Sequence, residues 1–152
     1  MSKVLLIGCG KSKRDVLACP AEELYCGALF LKRLAFARSA RCPFLILSAR
    51  YGLIEPGSIV MSYDKSLKDL SPLNQVAWSV GVVTQFCEYL DNDSLTFSDL
   101  RKVHCEIHAG ADYAERLMDL LIGSGFSASW PVKGMSQGEQ MAFYTRGVAC
   151  HG

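Results

Sequence analysis

The chain of 152 residues has no two cysteines in C-x-x-C spacing, and its cysteines number seven, an odd set. Zinc-ribbon and thioredoxin chemistry want close pairs, and a secreted disulfide scaffold wants an even count. The thiols therefore read as reduced, small buried hydrophobes, with Cys9 set apart because it sits in a glycine turn. No run approaches the ~20 apolar residues of a membrane span, and the first residues do not form a signal-peptide pattern. Net charge is scarce too: 16 Lys+Arg against 15 Asp+Glu leave +1, so only a local basic patch can argue for nucleic acid. Repeats, low-complexity tracts and linkers are absent, and half the residues are hydrophobic. The expectation is one cytoplasmic domain with a real core and no membrane association.

Two phosphate-binding motifs are incomplete. The stretch KVLLIGCGKSKRD, Lys3 to Asp15, ends a P-loop at Gly10-Lys11-Ser12, but Leu5 stands where that motif needs its first glycine. Gly8-Cys9-Gly10 begins a dinucleotide fingerprint whose third glycine would fall at Lys13. A nucleophile elbow is missing as well, since Ser48 lies between Leu47 and Ala49, and no histidine pairs with Cys9 in sequence.

What is present is an alternation of short apolar runs with helical patterns. KVLLIG (Lys3–Gly8) and PFLILS (Pro43–Ser48) are continuous apolar runs, as strands covered on both faces are. KVHCEIHAG (Lys102–Gly110) and FSASW (Phe126–Trp130) add two more. Helices are expected from Ala21 to Ser39, from Ser71-Pro72 through Cys87, from Asp112 to Ile122 and from Gln137 to Thr145. Asp112 and Glu115 have capping-box spacing at the start of the third. The order implies a three-layer α/β/α domain with a mostly parallel sheet of four strands, or slightly more.

Ligands of such sheets gather at the carboxyl ends of the strands, where four glycine-bearing segments follow the four strands. In GCGKSK, glycines turn backbone N–H groups toward an anion and Lys11 and Lys13 add point charges. In SARYGL, Arg50 offers a bidentate grip and Tyr51 a stacking surface. In HAGADY, Gly110 turns the chain and Asp112 serves as helix N-cap or as an active carboxylate. PVKGMSQG is the fourth. YDKSL (Tyr63–Leu67) lies in an unusually long connection, and such loops are more often functional than filler. His104, Glu106 and His108 share one strand face at ~6.5–7 Å steps. Residues four apart are too distant to share an ion and no fourth ligand is evident, so no metal is assigned. An edge strand with a polar outer face gives the same alternation.

These segments together resemble a family of short bacterial and phage proteins of unassigned function. Its pattern of C-G-K-S-K, LY-x-G-x-x-F, LSA-x-YGL, YD-x-x-L, AG-x-x-Y and P-x-x-G-x-x-x-G falls here at Cys9–Lys13, Leu24–Phe30, Leu47–Leu53, Tyr63–Leu67, Ala109–Tyr113 and Pro131–Gly138. The resemblance adds Tyr25 to the site, and it extends distantly to the YaaA stress-protein group and to proteins acting on nucleic-acid bases.

The leading expectation is an enzyme acting on a nucleotide, or on a base in single-stranded nucleic acid, at the N-glycosidic bond, with no cofactor. Cys9, Gly10, Lys11, Ser12 and Lys13 would hold a phosphate. Tyr25 or Tyr51 would stack the base, with Ser48, Arg50, Gly110 and Tyr113 lining the site. Asp64, Asp112 or Glu139 would supply the carboxylate that steadies an oxocarbenium-like centre. The alternatives are a non-catalytic nucleic-acid binder, with Lys11, Lys13, Arg14, Arg50 and Lys133 along one groove, and a partner-binding protein such as a phage-encoded inhibitor.

Overall fold

A computed structural model describes residues 2–92 and 102–151. Strands β1 (Ser2–Gly8), β3 (Phe44–Ser48), β6 (Val103–His108) and β7 (Ser127–Ser129) run parallel in one sheet. Its order is β4-β3-β1-β6-β7, where β4 (Gly52–Ile54) lies antiparallel on the outer edge of β3. Strand β1 is therefore central, with Ile7 opposite Ile46 on one side and His108 on the other. A small antiparallel ribbon joins β2 (Ala18–Pro20) to β5 (Ile59–Met61).

The continuous apolar strands are covered on both faces. Val4, Leu6, Leu45, Leu47, Cys105 and Ile107 pack under α3 (Pro72–Asn92) and α4 (Ala111–Gly123). The alternate residues Leu5, Ile7 and Ile46 pack under α2 (Ala28–Ser39) and α5 (Gln137–His151). This is the expected α/β layering, with helices on both sides of a mostly parallel sheet.

Five differences from the sequence reading have identifiable causes. The fifth strand, β4, follows a reversal at Gly52, whose φ of 73° suits glycine. The Gln85 carboxamide locks it by accepting from Leu53 N at 2.8 Å and donating to Tyr51 O at 3.0 Å. The helix expected over Ala21–Ser39 is two pieces, α1 (Ala21–Leu24) and α2, because Tyr25 adopts an extended backbone and turns its ring into the core. Helix α4 has Gly110 as N-cap without a side-chain bond, so Asp112 is a first-turn residue and not a cap. The last helix continues beyond Thr145 to His151.

The fifth difference concerns β6, which is internal rather than an edge strand, and whose His108 is buried against Phe36 of α2 and Phe143 and Tyr144 of α5. His104 bonds Ser127 and Ser129 on β7, at 2.7 and 2.8 Å. Glu106 accepts from His108 Nε2 at 2.8 Å and meets Lys3 at 3.4 Å. A neutral imidazole that gives Nε2–H to the carboxylate accepts the Tyr144 hydroxyl at Nδ1, 3.1 Å away. Among the described residues no group of three or more His, Cys, Asp or Glu is placed to hold a metal ion. Burial pushes the Tyr144 hydroxyl up to about 12, and the hydrogen bond from His108 holds Glu106 below the usual carboxylate range.

A carboxylate with a depressed folded-state pKa stabilises the fold above its unfolded value, and the contribution fades as pH falls through the folded value. The wild-type protein should therefore exceed Glu106→Gln in stability by a constant margin from about pH 7 to about pH 5, and the margin should close below about pH 4. Urea midpoints measured across that range check this; a gap that does not narrow in acid means Glu106 is not the ionised partner of His108.

Candidate functional site

The loop after β1 is held in place by its backbone. Cys9 N donates to Leu47 O at 3.0 Å, extending the β1–β3 pairing by one residue. Further along, Arg14 N donates to Leu24 O at 2.8 Å and Cys26 N to Ser12 O at 3.1 Å. The break after α1 thus exists to meet this loop: Tyr25 forms an isolated bridge with Lys13. Helix-terminus anion binding of the P-loop kind does not fit, because the first helix after the loop, α1, begins only at Ala21, past the β2 strand, and α2 later still at Ala28.

Beside this loop opens a cleft of about 460 Å³. Cys9, Gly10, Lys11 and Lys13 form one wall, residues 63–69 another, and Asp112 with Tyr113 a third. At its floor, the Tyr63 hydroxyl lies 2.9 Å from the Tyr25 hydroxyl and 2.8 Å from Ser48 Oγ. The Cys9 sulfur sits 3.8 Å from the Tyr63 oxygen and 3.6 Å from the Tyr113 oxygen. Lys13 places its ammonium 4.3 Å from the Tyr63 ring centre, within cation–π range, and donates to Lys11 O. Across the cleft, Lys68 meets Asp112 at 3.6 Å.

Burial, followed by the neighbouring Cys9 sulfur, raises the pKa of Tyr25, Tyr63 and Tyr113. All three therefore stay protonated at neutral pH and offer hydroxyl donors rather than charge. The rim carries the charge, with Lys11, Lys13, Lys65 and Lys68 interspersed with Asp64, Asp69 and Asp112. Such a cleft suits a ligand that carries an anion at one end and hydroxyls or a developing positive centre at the other.

Of the residues singled out in sequence, Cys9, Gly10, Lys11, Lys13, Asp64, Asp112 and Tyr113 line this cleft, and Tyr25 and Ser48 lie directly beneath it. Others lie elsewhere. Ser12 is exposed and contributes its carbonyl to Cys26. Arg50 is exposed, its guanidinium 5.4 Å from the Tyr51 ring centre. Tyr51 is no free stacking platform, because its hydroxyl binds both the carbonyl and the N–H of Met61 and so ties β5 to the β3–β4 corner. Glu139 is exposed and exchanges bonds of 3.1 and 3.2 Å with Ser136, a capping box for α5, which also holds its carboxyl below the usual range. Gly110 borders a different cavity, as does Lys133, so the cations of the binder reading do not share one groove.

Tyr63 was missed as a site residue although the YDKSL segment contains it, as were Lys65 and Lys68. The length of their connection and, for Tyr63 and Lys65, the YD-x-x-L motif at Tyr63–Leu67 were the signals that could have found them. Among the described residues no helix is long and apolar enough to cross a membrane. A family model described as a family of unknown function (DUF6884) matches residues 4–146. No curated protein and no solved structure matches the chain.

Replacing Tyr63 by Phe strips the floor of its central hydroxyl and leaves Ser48 and Tyr25 without that partner. The expected cost is about 1–3 kcal/mol, read from urea unfolding. Tyr113→Phe removes only a long sulfur contact and should cost less than about 1 kcal/mol. Equal losses would mean that Tyr63 does not organise the floor.

Proposed function

The chain belongs to the DUF6884 family, and we propose that it is an enzyme acting on a nucleotide, or on a base within single-stranded nucleic acid, at the N-glycosidic bond. One observation supports the reading above the rest: paired lysines and a helix-borne carboxylate line a single cleft at the carboxyl ends of β1 and β6. Lys11 and Lys13 hold the phosphate as point charges. The protonated hydroxyls of Tyr63 and Tyr113 bind the sugar or base from below. Asp112 steadies the positive centre that grows at the sugar as the base departs, by the logic of glycosidases. It suits this role better than Asp64, because it stands on the first turn of α4 beside Lys68, whereas Asp64 rides on a connecting segment. Glu139, committed to its cap and outside the cleft, is not part of the scheme. Water or a second base completes the reaction, making the enzyme a hydrolase or a base-exchange transferase.

A panel of nucleotides and oligonucleotides assayed for free base tests the reading. Asp112→Asn should lower the rate by about 10²-fold or more with the KM little changed. Lys11→Ala and Lys13→Ala should each raise KM by roughly tenfold, since a charge-assisted phosphate contact is lost. Salt-dependent binding of single strands with no base released would favour the non-catalytic alternative. Base release that survives both Asp112→Asn and Asp64→Asn would retire the scheme.

A further inference from the structure

The PVKGMSQG segment plays no part in the lysine cleft. It folds instead into a second cavity of about 370 Å³, at the carboxyl ends of β6 and β7 on the other side of Gly110. Lys133 N donates to Trp130 O and Met135 N to Val132 O, so the segment forms a tight turn that sets its side chains around an opening. Trp130, Val132 and Met135 supply apolar walls. The Trp130 indole N–H is already spent on Ala109 O at 3.0 Å, so that residue presents carbon to the cavity. Lys133 stands beside it, 5.8 Å from the ring centre.

The one buried polar side chain in the lining is Gln140. At ordinary sites the orientation of a glutamine amide is ambiguous, but here chemistry decides it. Arg33, only 5 % exposed, donates Nη2 to Gln140 Oε1 at 2.9 Å and Nη1 to Gly8 O at 3.1 Å. An arginine has donors only, so the oxygen of Gln140 must face it and the NH₂ must face the other way. That NH₂ gives one hydrogen to Met135 O at 3.2 Å and has a second to give. The Arg33 Nε has no hydrogen-bond partner. Its guanidinium makes no ion pair among the described residues, so its charge bears on the Gln140 oxygen and polarises the amide into a stronger donor. Glu115, an acceptor, borders the same cavity.

We propose that this cavity is a second small-molecule site, built for a planar nitrogen heterocycle of nucleobase size, one of whose carbonyl or ring-nitrogen acceptors takes the hydrogen bond from Gln140 Nε2 while its faces lie against Trp130, Val132 and Met135. The volume falls within the usual range for ligand cavities. A ring bearing both an acceptor and an N–H donor matches a lining with one amide donor and one carboxylate; a ring of similar size with an N–H and no acceptor does not. The inference stands apart from the reading of the lysine cleft and holds whether or not that cleft breaks a glycosidic bond.

The test is titration of the full chain with uracil and with hypoxanthine, using indole, which has an N–H donor but no ring acceptor, as the counter-probe. Side-chain NMR signals of Gln140 and Trp130 report occupancy. Both lactams should shift them saturably with Kd at or below about 1 mM, and indole should bind roughly tenfold more weakly. Gln140→Glu keeps the volume and the Arg33 contact but replaces the donor by an acceptor, so lactam binding should fall by at least roughly tenfold. Ala111→Leu, at an exposed lining position, fills the cavity without touching the core and should also abolish the shifts. Lys11→Ala should leave them unchanged. The proposal is overturned if Gln140 and Trp130 do not respond to either lactam, if indole binds equally well, if binding survives Gln140→Glu or Ala111→Leu, or if the shifts appear only at Tyr63 and Tyr113.

Discussion

The Tyr63 hydroxyl, in reach of Tyr25, Ser48 and Cys9, is where four segments far apart in sequence meet. Each brings a polar atom that would be costly to bury alone. Joined, they satisfy one another and draw the loop after β1, the break between α1 and α2, the end of β3 and residues 63–69 into one wall. The cleft above them, with the lysines and carboxylates on its rim, depends on that meeting point. A hydroxyl network buried under charged side chains also stays neutral, so the floor donates hydrogen bonds while the rim provides charge.

The α2–α5 side of the sheet, against whose core Tyr25 and Tyr63 also pack, uses the same economy around Arg33 and His108. A guanidinium and an imidazole lie under α2 and α5, and each bonds neighbouring groups, although the Arg33 Nε has no partner. Buried ionic groups contribute little net stability, but they narrow the arrangements a core can adopt. Arg33 touches Gly8 at the end of β1 and Gln140 in α5, so it links the two cavities through one side chain. Gly8 itself admits no larger residue, because an added Cβ would come 2.8 Å from that of Ala109. The close approach of β1 and β6 that this permits sets the two cavities on either side of Gly110.

Much of the layering was legible because strands buried on both faces are apolar without interruption, and KVLLIG and PFLILS need no partner to be recognised. The glycine-bearing turns after the strands were legible too, since a parallel sheet gathers them on one edge. Residues whose role depends on a distant partner were not. Glu139 reads as a free carboxylate until Ser136 is seen to cap with it. Tyr51 reads as a stacking surface until Met61 takes its hydroxyl. The alternation His104, Glu106, His108 reads as a polar outer face until His108 is found buried against aromatic rings of α2 and α5.

From the order of residues alone came the parallel α/β architecture, the ring of loops at the carboxyl edge and the cationic character of Lys11 and Lys13, because hydrophobic period and turn chemistry are local properties of the chain. The choice of Asp112 and Asp64 over Glu139 at the cleft, the burial of Tyr25 and the outward turn of the Gln140 amide were decided only by the tertiary structure. Each depends on which atom of a remote segment comes within about 3 Å, a distance set by packing and not by sequence spacing.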